Sequence, residues 1–244
     1  MFLIMKHGLD HLLRKNNILN LKTKKNMNNV NFIYTKQEHS AEDNIKEYID
    51  SLPKDSIFYD LGANLGWFSL YAANLGLQVY AFEVDKNNFF GLQKNIEANP
   101  NLLDKIFIFN QGIADKKRNI NLRFSDDTIG GHHKTLELPN FSATSGIIAN
   151  KKIEIIVDSL DNIIKDNNLP FPDHLKVDID GSEYAFLLGA NEVLNHAKSM
   201  VIEFWTESEY YNESIRILNT FGFKQKTIYP IFGESNLYNF VFEK

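Results

Sequence analysis

Phe58-Tyr59-Asp60-Leu61-Gly62-Ala63-Asn64-Leu65-Gly66, with Val79-Tyr80-Ala81-Phe82-Glu83 following it, is the stretch that decides the fold. An apolar strand runs into a glycine turn and a helix, and a second apolar strand ends on a lone carboxylate. Glycines let backbone approach a ligand closely, and a carboxylate in that place accepts hydrogen bonds from ribose hydroxyls. The layout predicts a nucleoside pocket.

The spacing narrows the ligand. A dinucleotide turn reads G-x-G-x-x-G, its middle glycine making room for pyrophosphate. Here Gly62-Ala63-Asn64-Leu65-Gly66 has no glycine in that role, and Asn64 offers a polar side chain instead. Asp60 would add negative charge beside any phosphate. Both features suit S-adenosylmethionine, which has a positive sulfonium and no phosphate. Gly62 and Gly66 alone would also fit a tight turn without a ligand; Asp60 and Glu83 in register favour the pocket.

Outward from this core, short apolar strands alternate with amphipathic helices from Ser56 onward, the pattern of a parallel α/β sheet. Strands are expected at Ile57–Asp60, Gln78–Phe82, Ile106–Asn110, Leu175–Val177 and Met200–Phe204. Helices are expected at Trp67–Leu75, Lys86–Ala98, Ser159–Lys165, Glu183–Leu194 and Ser208–Phe221, with Asn99-Pro100 ending the second. Lys224–Tyr229 and Leu237–Phe242 are too closely joined to be parallel and must form an antiparallel hairpin. The expected fold class is therefore α/β, a Rossmann-like class I methyltransferase sheet, mostly parallel with a C-terminal antiparallel hairpin. Residues 1–50 are Asn/Lys-rich with weak helical patterns at Leu9–Leu13 and Ala41–Ile49, and read as an N-terminal helical extension to a main domain at 51–244. They have two readings, a cover over the acceptor site or a contact in a homodimer. Ser125–Asn150 is an irregular stretch of the length that is usually functional or mobile.

Composition excludes several classes. The net charge of −5 gives no overall basic face for nucleic acid, and the basic residues between Arg14 and Lys25 are diluted by asparagines. There is no cysteine, so no disulfide, thiolate nucleophile or Cys-ligated zinc. Met1–Met5 is too short an apolar run for a signal peptide, and no stretch approaches a membrane span. A cytoplasmic protein without nucleic-acid or membrane partners is the expectation.

A second constellation, Lys176-Val177-Asp178-Ile179-Asp180-Gly181-Ser182-Glu183, ends the fourth parallel strand. Ligands of open α/β sheets sit beyond the carboxyl ends of strands near the switch in strand order. Asp60, Glu83, Asp178 and Glu203 each terminate a strand on that rim. Asp180 and Ser182 are also placed to cap the helix beginning near Glu183.

These blocks resemble the FkbM family of S-adenosylmethionine-dependent methyltransferases. The matching elements are Asp60–Gly66 (D-x-G-A-N-x-G), Ala81-Phe82-Glu83-Val84, Leu160-Asp161 and Lys176–Glu183 with Leu188-Gly189-Ala190, in order over about residues 55–205. Val84 stands where proline is usual and Asp180 where glutamate is usual, and the family's serine segment is replaced by Gly130-Gly131-His132-His133 or Ser142–Gly146. The resemblance implies O-methylation of a sugar or nucleotide-sugar in polysaccharide or glycoconjugate biosynthesis. It implies that Asp60, Gly62, Asn64 and Gly66 hold the methionine portion, that Glu83 holds the ribose, and that Gly112 and Ile113 lie in the segment lining the adenine. Asp178 joins the same pocket.

A sugar hydroxyl is a poor nucleophile, so a base or a metal is needed. In one solution Asp178, His132 or His133 is a general base. In the other, Asp178 and Glu203 hold a divalent ion with a histidine of the Gly130–Lys134 loop, His133; an imidazole ligand favours Mn or Fe over Mg. Trp67, Phe204, Trp205, Tyr210 and Tyr211 are candidates for stacking on the acceptor, Trp205 foremost. The alternatives are methylation of another small molecule or a protein, a Rossmann-type NAD-binding oxidoreductase, and a non-catalytic scaffold.

Overall fold

A strand that is buried on both faces is largely apolar, and the central strands here are, apart from Asp60 in one and His174 and Lys176 in its neighbour. The computed structural model describes residues 25–27, 30–34, 43–125, 127–131, 134–139, 150–231 and 233–244. The first described elements are the antiparallel pair β1 (Lys25–Met27) and β2 (Val30–Phe32), then helix α1 (Asp43–Asp50). Next come β3 (Ile57–Leu61), α2 (Trp67–Leu75), β4 (Gln78–Phe82), α3 (Lys86–Glu97) and β5 (Ile106–Phe109). β6 (Gly112–Ile113), β7 (Arg118–Phe124), β8 (Thr135–Leu136) and β9 (Lys151–Asp158) follow. The rest is α4 (Leu160–Asn167), β10 (His174–Val177), α5 (Glu183–Leu188), α6 (Asn191–His196), β11 (Ser199–Trp205), α7 (Tyr211–Thr220), β12 (Lys224–Pro230) and β13 (Leu237–Glu243).

Seven strands form the main sheet in the order β12-β13-β11-β10-β3-β4-β5. β10 pairs in parallel with both β3 and β11, and β13 is antiparallel to β11 and β12. The expected mostly parallel sheet with a closing antiparallel hairpin is what the chain builds. The order reverses between β3 and β10, so a crevice opens at the carboxyl ends of those two strands.

Alternate residues of β3 serve opposite faces: Phe58 packs with Val79, Phe68 and Leu70, while Tyr59 packs with Phe82, Leu175 and Phe186. The first face also takes Val30, Phe32, Ile45 and Ile49 from the amino-terminal segment. α2 is buried along Trp67–Ala73, because it lies between the sheet and these residues. No helix among the described residues is long and apolar enough to cross a membrane.

Two features depart from the sequence reading. The helix expected over Glu183–Leu194 is two helices, α5 and α6. At Gly189 a Cβ would stand 2.5 Å from the carbonyl oxygen of Ala114, so the chain breaks where two backbones meet. Asp161 starts the second helix, accepting from the amides of Glu192 (2.9 Å) and Val193 (3.0 Å). Secondly, β6, β9, β7 and β8 form a separate four-stranded sheet in that order, flanking the irregular stretch. β7 and β9 carry charges at exposed positions, and β6 and β8 are only two residues long, so none stands out in a search for apolar runs. Leu9–Leu13 and Ser142–Gly146 lie outside the described residues.

Candidate functional site

The glycine turn after β3 folds back on β4. Gly62 has φ +81, and a Cβ there would stand 1.7 Å from the carbonyl oxygen of Asp178, so only glycine lets the ends of β3 and β10 meet. The amides of Gly62 and Ala63 both donate to Phe82 O, at 3.0 and 2.9 Å. The amide of Asn64 (φ +50) donates to Glu83 Oε2 at 2.8 Å, and that of Asp85 to Glu83 Oε1 at 2.8 Å. Gly66, at φ +80, caps α2 and donates to Ala63 O at 2.7 Å.

Glu83 is buried, and its carboxyl is raised to about 7, chiefly by burial, with the two amides and Lys134 pulling the other way. It lies in a cleft of about 1020 Å³, counted to its open mouth. Gly62, Asn64, Glu83, Gly112, Ile113 and Asp178 all line this cleft, so the structure brings together six of the expected cofactor residues. Asp60 and Gly66 do not line it. Asp60 is fully buried behind the turn, accepting from Ser69 Oγ at 2.6 Å, and a Cβ on Gly66 would meet Leu92 at 2.3 Å.

Sequence reasoning missed three site residues. The Lys176 ammonium stands 3.3 Å from both Asp60 Oδ1 and Asp178 Oδ2 and donates to Gly62 O at 3.2 Å. A lysine inside the otherwise apolar strand His174–Val177 was the available signal, since a buried lysine needs carboxylate partners. Lys134 pairs with Asp85 at 2.8 Å, and both side chains are buried. Asn88 accepts from Gly130 N at 2.8 Å and donates to Gly131 O at 3.1 Å, tying that segment to the start of α3 beside the cleft.

Asp180, at φ +51, does not cap a helix; its Oδ2 accepts from Lys134 N at 3.2 Å. Ser182 occupies the N-cap position of α5 without a side-chain cap bond. Glu183 does the work of ordering that turn, its Oε1 accepting from the amides of Ile179 (3.0 Å) and Gly181 (3.3 Å).

Val177 is registered on Ile202, so Asp178 and Glu203 stand side by side just beyond. Glu203 is held well above the usual carboxylate range by burial and by Asp178, Glu183 and Asp180. His132 and His133 lie outside the described residues. Among the described residues no group of three or more His, Cys, Asp or Glu side chains converges as metal ligands do. Asp178 is instead paired with the Lys176 ammonium, and Glu203 lines a neighbouring cleft. His133, the third expected ligand, lies outside the described residues, so of the expected divalent centre only Asp178 and Glu203 are described.

Residues 60–224 match the family described as Methyltransferase FkbM domain. The hexuronic acid methyltransferase AglP of Haloferax volcanii is 24% identical over 162 residues, 66% of this chain and 61% of that protein. The chain thus spans about three fifths of that curated relative. A methyltransferase FkbM from Methylobacillus flagellatus KT superposes with a TM-score of 0.50 at 18% identity, over 78% of this chain and 45% of that one. A precorrin-6y C5,15-methyltransferase from Geobacter metallireducens GS-15 superposes with a TM-score of 0.51 at 12% identity, over 87% and 93%. At such identities these two report the shared Rossmann-like fold. With a sheet ordered around the β3–β10 switch and the family match running from Asp60, behind the glycine turn, through the hairpin's first residue, this chain belongs to the FkbM methyltransferase family.

Proposed function

We propose that the chain transfers a methyl group from S-adenosylmethionine to a hydroxyl of a sugar or nucleotide-sugar. The observation that carries this reading is how the glycine turn uses its amides. Those of Gly62, Ala63, Asn64 and Gly66 are all committed within the turn, to Phe82, Glu83 and Ala63. A pyrophosphate needs such amides aimed at itself, so a phosphate-free nucleoside suits this turn and a dinucleotide does not. Glu83 carries the nucleoside part. Each of its oxygens accepts one amide, and a carboxylate has roughly four acceptor sites, which leaves two for the ribose hydroxyls. Gly62 and Asn64 hold the methionine part, with Asp60 and Gly66 shaping the turn from behind, and Gly112 and Ile113 line the adenine.

Catalysis is mainly positioning, with the acceptor oxygen brought to roughly 3 Å from the methyl carbon. The oxygen–carbon bond forms as the carbon–sulfur bond breaks; its electron pair goes to sulfur, leaving S-adenosylhomocysteine. Asp178 is the base that the described residues offer for the hydroxyl proton, its side chain 29% exposed at the cleft and so able to pass the proton to water. His132 and His133 are the other candidates. The sugar acceptor is supported by the name of the Haloferax relative.

Calorimetric titration with S-adenosylhomocysteine and, separately, with NADH tests the reading. Binding of the first alone is expected, weakened roughly tenfold or more in Glu83→Ala. Heat with NADH and none with S-adenosylhomocysteine would overturn it.

A further inference from the structure

We propose that the acceptor enters a second cleft beside the cofactor pocket, and that it is a sugar carrying an amine. This deepens the methyl-transfer reading above and rests on it. The second cleft, about 710 Å³ to its open mouth, lies among the turn after β10, α5, the end of β11 and the start of α7. Asp180 lines both clefts, so a molecule seated in the second reaches the edge where Asp178 stands in the first.

The walls combine two chemistries. Tyr184 and Tyr210 stack with centroids 4.7 Å apart at an interplanar angle of 8°, and Trp205 and Tyr211 stand on the same cleft. Flat aromatic walls suit the C–H faces of a sugar ring. The polar lining is acidic: Asp180, Glu183, Glu203 and Glu234 contribute carboxyls, and none of the described lining residues is Lys, Arg or His.

Two of the polar groups point to a ligand. Trp205 Nε1 is sealed from solvent and has no acceptor among the described residues. The Glu203 carboxyl stands among Asp178, Asp180 and Glu183, with the Lys176 ammonium offsetting them in part, and makes no hydrogen bond or ion pair with another described residue. An indole N–H without an acceptor and a carboxyl crowded by carboxylates are each costly. A sugar that presents a hydroxyl oxygen to Trp205 and an ammonium group to Glu203 relieves both. A uronic acid would add another anion to a wall whose described residues include carboxylates and no cation. The cleft therefore selects against the kind of acceptor named for the Haloferax relative.

The test is saturation-transfer NMR on protein first shown by calorimetry to bind S-adenosylhomocysteine, with methyl glycosides of glucosamine, glucose and glucuronic acid in competition. Failure at the calorimetric step would sink the methyl-transfer reading itself. With that step passed, preference for the amino glycoside is expected to be roughly tenfold or more over the glucuronide. Glu203→Gln, which keeps the shape of the side chain, should bring amino and neutral glycosides to equal binding while its melting temperature stays level or rises. Trp205→Phe should weaken all three glycosides alike. Equal or better binding of the glucuronide overturns the proposal. So does equal wild-type binding of amino and neutral sugars, or no contact with any of the three.

Discussion

At the scale of single residues, the rim of the sheet stores unfavourable charge. Glu183 is raised to about 7, mainly by burial, with Asp178 adding to the rise and the amides of Ile179 and Gly181 opposing it. Its ordinary value is 4.5, so the fold favours the protonated form. Glu183 helps stability at low pH, and that help is lost as pH rises from about 4.5 to about 7. Above that window the cost approaches about 3 kcal/mol, an upper figure. Only Oε1 serves the two amides, so Glu183→Gln keeps the acceptor and removes the charge. The melting temperature of this variant should exceed wild type by roughly 5 °C at about pH 8 and match it near pH 4.5. A gain that is the same at both pH values would show that ionisation is not the cause. Glu83 is raised in the same direction, but both its oxygens hold amides, so the same substitution there would set a donor against a donor.

At the scale of elements, α3 does more than cover the sheet. Asn95 is fully buried; its Oδ1 accepts from the amides of Ile33 (2.8 Å) and Tyr34 (2.9 Å), and its Nδ2 donates to Tyr34 O and to Leu65 O, each at 2.8 Å. Asn99 does the same for Asn31, accepting from its amide and donating to its carbonyl, both at 2.7 Å. Two asparagines one turn apart thus satisfy the backbone of β2 and the residues after it as a neighbouring strand would. Because Leu65 belongs to the cofactor turn, Asn95 joins that turn to the amino-terminal segment. Asn95→Ala leaves the part-buried amides of Ile33 and Tyr34 without their acceptor and should cost roughly 1–3 kcal/mol. Hydrogen exchange should quicken at Ile33 and Tyr34, and affinity for S-adenosylhomocysteine should fall with it. Unchanged exchange at those two amides would mean the clamp is not what orders the segment.

At the scale of the whole molecule, one face of the sheet is completed by residues far from the site. Val30, Phe32, Ile45, Tyr48 and Ile49 join the cluster of Phe58, Trp67 and Phe68, and Phe32 lies 4.6 Å from the Trp67 ring between centroids. Tyr48 also reaches beneath the sheet, its hydroxyl 2.8 Å from Ser199 Oγ, which is in turn 2.8 Å from His174 Nδ1. A chain beginning at residue 51 would expose that apolar face and leave Ser199 and His174 without the tyrosine. It should lose its cooperative thermal transition and bind a hydrophobic dye. A sharp transition in the truncated chain would show instead that residues 51–244 fold unaided.

The sequence by itself determined the strand–turn–strand unit at Phe58–Glu83, the parallel sheet with its antiparallel close, and that Glu83 and Asp178 stand on the rim. Those features are local: apolar runs, glycines and strand-terminal acids report on their own few residues. Tertiary structure alone decided that Asp60 faces Lys176 and Ser69 instead of the cleft, that a helix breaks at Gly189, and that Glu203 looks into a second, acidic cleft. Each depends on residues distant in the chain, such as the Ala114 carbonyl against Gly189 or the Lys176 ammonium between Asp60 and Asp178. Such contacts leave no periodicity to read, because they arise only when separate strands are laid side by side.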